Sequence, residues 1–254
     1  MRMLPLSALM LTLLASPLAV GEDAPAPAAQ APVAGAKAVA LRAIDLHGYA
    51  SFPKNWDDAK HPLRAALIGD SQQWEAVFGA AFGGIGGQPR KPAAPDASVY
   101  EKEQFLMVSR VVNGDDLGKG FTFNSAQAHG DTLVVRYTFK PGLGKATYMA
   151  KDCALVALPR HAYAKVVLVE NGRVAATLDK DHAQLPGENG AAAPKPAAAA
   201  CPVCAKPGIP MVYGDPSPEL MAHVQRGEAV LGGCNISPAG NDPHHACKGC
   251  DVKW

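Results

Sequence analysis

Two Cys-x-x-Cys pairs stand in the last 54 residues of this 254-residue chain, Cys201-Pro-Val-Cys204 and Cys247-Lys-Gly-Cys250, with 42 residues between them. Each pair puts two sulfurs on one tight turn. Two such turns facing each other present four thiolates as a tetrahedron, the coordination of a closed structural Zn²⁺ site. The expected metal ligands are Cys201, Cys204, Cys247 and Cys250, and the expected cofactor is Zn²⁺. A closed site leaves no position for a substrate, so the pairs point to a module that holds shape or a partner.

Two other arrangements of the six cysteines remain open on the sequence alone. In an oxidising compartment they can pair as disulfides, although only Cys153 lies outside the tail, so full pairing would stitch tail to body. One Cys-x-x-Cys can also work as a redox dithiol. Such motifs sit where a strand feeds a helix that lowers the thiol pKa, whereas Cys201 follows an Ala tract and Cys204 precedes Ala-Lys-Pro-Gly. Motif spacing favours zinc.

His244 and His245 precede Cys247, and either imidazole could replace a thiolate. Four thiolates already complete a tetrahedron, so an exposed polar loop is the favoured reading. Cys234 reads as a small buried apolar filler or as a reactive thiol, and Cys153 as a packed strand residue. His223 borders an apolar helical stripe. His47, His61, His129, His161 and His182 read as surface or loop residues, and Asp57-Asp58 and Asp115-Asp116 as solvated turns. Trp56 and Trp74 are expected to pack, and Trp254 to cover the apolar side of the metal site. The chain contains no Gly-x-Ser-x-Gly or His-Glu-x-x-His motif, so no catalytic residue or organic cofactor is expected.

The elements that must position the four sulfurs are legible in the tail. Ile209–Gly214 reads as a short strand closed by Gly. Ser217 is an N-cap, Pro218 suits the first helical position, and Glu219 favours the positive end of the dipole. Gly227 suits the left-handed end of that helix, and Ala229-Val230-Leu231 is a second strand. A unit this small has little core and normally needs a metal or disulfides to fold. Cys-Pro-x-Cys, Val-Tyr-Gly-x-Pro-Ser-Pro-Glu-Leu, Arg-Gly-Glu-x-Val-Leu-Gly-Gly-Cys and Cys-Lys-x-Cys together resemble a bacterial family of small zinc-ribbon-like proteins. The resemblance spans residues 201–254 and implies zinc at the four knuckle cysteines. The chain departs from it in Ala205, where relatives tend to carry Gly; in Cys234-Asn235, where they often carry two cysteines; and in His244-His245-Ala246, where an aromatic commonly stands.

The body reads mostly as β. Gln104–Val112 is an apolar run. In Thr132–Phe139, Leu133, Val135, Tyr137 and Phe139 face one way and Thr132, Arg136 and Thr138 the other. Ala164–Glu170 and Arg173–Leu178 flank Asn171-Gly172, a type I′ hairpin signal, and Cys153–Leu158 is a further strand. One helix is capped by Asp70 or Ser71, supported by Gln73, with Trp74, Val77, Phe78 and Ala81 on one face. Gly83–Gly87 reads as a loop. Ser71–Phe78, Phe105–Val112, and Leu155–Arg160 leading to Val166–Gly172 resemble accessory domains of the bacterial protease-complex-subunit type. That family's Gly-rich turn is represented here by Gly118-Lys119-Gly120. The resemblance implies a non-catalytic binding or accessory module.

Residues 1–21 carry Arg2, an apolar run Leu4–Leu14 too short to span a bilayer, and a small-residue cleavage site near Gly21, which together read as a signal peptide. Residues 22–40 and 186–200 are Ala/Pro-rich tethers. The chain has 24 basic and 23 acidic residues. Loss of residues 1–21 removes Arg2 and leaves 23 against 23, a balance with no general attraction to nucleic acid or anionic lipid.

The expected fold class is α+β, mainly β. A small antiparallel sandwich or open barrel with one N-terminal helix (41–185) precedes a zinc-ribbon-like module (201–254). The expected protein is periplasmic or secreted and non-enzymatic, with a protein partner and no stable membrane insertion after cleavage. The alternative is a periplasmic thiol-active protein in redox or metal handling that uses the Cys-x-x-Cys pairs and Cys234.

Overall fold

Apolar residues run unbroken through Phe105–Val108, Leu155–Leu158 and Val166–Val169. A strand apolar on both faces must be covered on both. The computed structural model, which describes residues 36–46, 53–54, 56–79, 92–179, 200–234, 236 and 242–254, shows what covers each face. The expected signal peptide, residues 22–35 of the first tether, Gly83–Gly87 and residues 186–199 of the linker lie outside the described residues.

The chain is mainly β, as the sequence predicts. Its body runs β1 (Lys37–Val39), β2 (Arg42–Ile44), β3 (Leu63–Ile68), α1 (Ser71–Val77), α2 (Ala97–Tyr100), β4 (Glu103–Asn113), β5 (Phe121–His129), β6 (Thr132–Phe139), β7 (Met149–Pro159), β8 (Lys165–Glu170) and β9 (Arg173–Asp179). The tail adds β10 (Ile209–Tyr213), α3 (Pro218–Arg226), β11 (Val230–Gly233), β12 (His245–Cys247) and β13 (Val252–Lys253). β1 and the bridge of Ala200 to Pro207 fall within stretches expected to be tethers.

One sheet has the order β2-β7-β4-β3 and is antiparallel throughout, with β4 and β7 paired from Glu103↔Pro159 to Asn113↔Met149. The other has the order β1-β5-β6-β8-β9-β13-β12-β10-β11. Because β7 lies in the opposite sheet, β6 and β8 pair in parallel, Thr132↔Lys165 to Tyr137↔Glu170.

Side-chain alternation then builds a stack of layers. Phe105, Met107 and Leu155 pack against Trp74, Val77 and Phe78 of the helical side. Their neighbours Leu106, Val108, Val156 and Leu158 point the other way and meet Leu133, Val135, Tyr137, Val166 and Leu168 between the sheets. The remaining face of β6 and β8, carrying Val134, Val167 and Val169, is covered by Cys201, Val203, Cys247, Cys250 and Val252 of the tail. Body and tail touch directly, through this core and through a parallel pairing of Lys253 with Arg173, and both fall in one compact unit, Val33–Trp254.

Local signals explain the joints. Asp70 caps α1 by accepting from the Gln73 backbone N–H at 2.7 Å, and the Gln73 side chain accepts from the Gly69 N–H at 2.6 Å. The helix ends after Val77; Phe78 is already extended and bridges to Pro53. Asn171 and Gly172 take φ +51° and +79°, as a type I′ turn requires. Asp115 and Asp116 are not simply solvated. Their carboxylates accept from the backbone N–H groups of Lys145 and Gly144 and tie down the loop between β6 and β7. Among the described residues no helix is long and apolar enough to cross a membrane.

Candidate metal centre

Each knuckle is a tight turn held by its own backbone. In the first, the Cys201 N–H donates to the Lys206 carbonyl at 2.8 Å, the Ala205 N–H donates to the Cys201 carbonyl at 2.9 Å, and the Val203 N–H points at Cys201 Sγ from 3.4 Å. Ala205 adopts φ +57°, the left-handed conformation that Gly would take without strain. The second knuckle closes the β12–β13 hairpin, where Cys247 pairs with Val252. Asp251, which follows its second cysteine, likewise has a positive φ, +49°.

The fold brings these turns together. The Sγ atoms of Cys201, Cys204, Cys247 and Cys250 all lie within 4.8 Å of one another, and Cys204 and Cys247 are 3.8 Å apart. A tetrahedron with Zn–S arms of about 2.3 Å has edges of about 3.8 Å, so the donor set fits a four-coordinate ion. A disulfide requires sulfurs at about 2 Å, and all six cysteines are free. Cys201, Cys247 and Cys250 are buried. Burial pushes the Cys201 thiol up to about 11 and raises Cys250 further, with the neighbouring sulfurs adding to both. At Cys204 burial pulls in the same direction, but hydrogen bonds from the Lys206 N–H and the other three cysteines outweigh it and set the thiol low. Four sulfur groups crowded out of water oppose one another's ionisation, and a cation at their centre relieves that opposition.

The remaining candidates are placed elsewhere. Cys234, expected to be a buried filler, is exposed just after β11, the edge strand of its sheet. Cys153 sits in β7 and packs against the helical-side core, as expected. His245 stacks on Trp254, ring centroids 5.8 Å apart, and His244 is exposed. Neither belongs to the cysteine cluster. Trp254 packs against the sulfur-bearing core, and its backbone joins His244 and His245 through three hydrogen bonds. His223 pairs with Glu228 at 2.7 Å. His129, read as a surface residue, has a buried, unpartnered Nε2 on β5. His47 and His182 lie outside the described residues.

Two residues beside the site carried no signal for it. Arg136 of β6 donates to the Cys250 carbonyl at 2.5 Å, and Lys165 of β8 donates to the Pro202 carbonyl at 2.8 Å. In the sequence they read as polar positions on strand faces, and only the docking of the tail onto that face reveals their targets. No protein-family model, curated protein or solved structure matches the chain.

Proposed function

We propose that this is an exported, non-enzymatic accessory or interaction protein in which one structural Zn²⁺ fixes the C-terminal module against a β-sandwich body. The observation that carries the reading is the convergence of four sulfurs within 4.8 Å. Soft thiolate donors in a tetrahedron select zinc over harder divalent ions. A site filled by four protein ligands supplies folding free energy and has no vacancy for substrate. The small apolar content of the tail supports the same reading, since buried Cys, Val and Ala residues make up most of its core.

Cys201, Cys204, Cys247 and Cys250 are the proposed ligands. Intact-mass measurement under native and denaturing conditions tests them. The expected native mass exceeds the denatured mass by one Zn per chain, and all six thiols alkylate once the metal is removed. Cys250→Ser is expected to abolish stoichiometric zinc and to unfold the tail. A mass deficit of two hydrogens per cysteine pair, with no metal, would overturn the reading.

The exposure of Cys234 favours one competing reading, a thiol-active protein in redox or metal handling. It predicts that a Cys-x-x-Cys pair cycles at an oxidoreductase potential and that Cys234→Ser removes activity while the tail stays folded.

A further inference from the structure

Four thiolates around one divalent ion leave two net negative charges. An anionic group placed in a largely buried core is costly unless opposite charge or hydrogen-bond donors compensate it. The first knuckle's own backbone N–H groups serve Cys201 and Cys204, while the face covering the sulfurs belongs to the body. That face carries Val134 on β6 and Val167 and Val169 on β8, all fully or almost fully buried. Beside this apolar patch stand two cations. Lys165 opens β8, and Arg136 is paired with Val169 at the other end of it. Four residues at about 3.3 Å each separate the two positions by about 13 Å along the strand.

Each cation reaches a different knuckle. Lys165 Nζ donates to the Pro202 carbonyl inside Cys201-Pro-Val-Cys204, and Arg136 donates to the carbonyl of Cys250, itself a ligand residue. Arg136 is held in turn by the Gln127 side chain at 3.2 Å. A guanidinium is a cation at any physiological pH.

Resting on the proposed zinc site, we infer that Arg136 and Lys165 of the body are positioning residues for the metal in the tail: each grips one knuckle by a backbone carbonyl and sets a positive charge beside the tetrathiolate. The metal affinity of the tail is therefore set partly by the sandwich, and the two parts form one binding unit. The apolar patch orients the knuckles, and the cations fix their separation and offset their charge.

The test uses the full chain. Zn²⁺ affinity is measured by competition with a chromophoric chelator, and Co²⁺ loading reports the ligand set through its visible absorption. Arg136→Gln and Lys165→Gln are each expected to weaken Zn²⁺ binding by about 10- to 100-fold while the four-sulfur cobalt spectrum is kept. Lys119→Gln, an exposed cation elsewhere, is expected to bind as the wild type does. Wild-type affinity is expected to fall with added salt and that of the Gln variants to fall less, a dependence that a purely packing role would not produce. Arg136→Lys, which keeps the charge, covers the case in which Arg136→Gln misfolds. Affinity near the wild type supports the inference, and a loss as large as a full charge deletion overturns it. Gln variants that hold Zn²⁺ as tightly as the wild type overturn it while leaving the zinc reading intact. A wild-type chain without the four-sulfur cobalt spectrum overturns both.

Discussion

Ala205 and Asp251 occupy the same place in the two knuckles, one residue after the second cysteine, and both have positive φ. A Cβ in the left-handed region costs about 1–2 kcal/mol, less for Asp, whose short polar side chain tolerates it. Ala205→Gly relieves that strain but adds entropy to the unfolded chain, so the net expectation is a gain of about 0.5–1 kcal/mol. It is read as a higher midpoint for unfolding of the metal-loaded tail; no gain, or a loss, would show that the φ of Ala205 carries no strain. Asp152 makes a different prediction. Its carboxylate accepts from the Gly118 and Cys153 N–H groups, while Oδ2 is buried without a partner. Burial raises its pKa above the ordinary 3.8, so the folded chain holds that proton more tightly than the unfolded chain does. The favourable contribution is present in full below the unfolded value and is lost as pH rises through the folded one. Asp152→Asn is expected to remove this component, so the stability difference between variant and wild type should shift in favour of the variant as pH climbs from about 3.8. A pH-independent difference would count against a raised Asp152.

At the scale of elements, the sandwich is pinned across its layers by polar side chains as well as packed. Arg110 of β4 makes a forked pair with Glu170 of β8, at 2.6 and 3.1 Å, and the Tyr137 hydroxyl of β6 donates to the same carboxylate at 3.0 Å. The side chains of Arg110 and Glu170 are only 18% and 14% exposed. Removing the carboxylate leaves a cation and a hydroxyl without partners, so Glu170→Ala is expected to cost about 3 kcal/mol in denaturant unfolding. A change under about 1 kcal/mol would mean that the pair behaves as a surface ion pair. This pin could not be read from the sequence, because its members are 60 residues apart and each looks like an ordinary strand polar residue. What was legible rested on local chemistry: the Asp70 and Ser217 caps, Gly227 at φ +78° closing α3, and the Asn171-Gly172 turn. β5 is not legible in the sequence, because Phe121–His129 carries Asn124, Ser125 and Gln127 and its alternation is broken by a bulge between Phe123 and Ser125. Nor is β3, because Arg64 stands, buried, where alternation asks for an apolar residue. The cluster of four cysteines is legible by spacing alone, whereas Arg136 and Lys165 depend on a docking geometry that no spacing encodes.

For the molecule as a whole, the tail completes the body as much as the body supports the tail. The runs Leu133–Val135 and Val166–Val169 are apolar on both faces because the inner face meets the other sheet and the outer face meets the knuckles. If the proposed metal occupies the cysteine cluster, its loss has a directional consequence. The four thiols no longer hold the two knuckles at a fixed separation, and the outer face of β6 and β8 loses the cover that makes its valines favourable, at about 25 cal/mol per Å² of apolar surface returned to water. The four-stranded sheet is untouched, because β4 and β7 are buried between the helices and the second sheet. Hydrogen exchange with and without chelator distinguishes the two regions. Chelation is expected to speed exchange throughout β10–β13 and, less strongly, in β9 and β8, while β4 and β7 keep their protection. A uniform loss across both sheets would mean that the ion holds the entire fold. A loss confined to residues 200–254 would mean that the tail rests on the sandwich without stabilising it, and that the shared core of Val134, Val167 and Val169 contributes little to holding the body together.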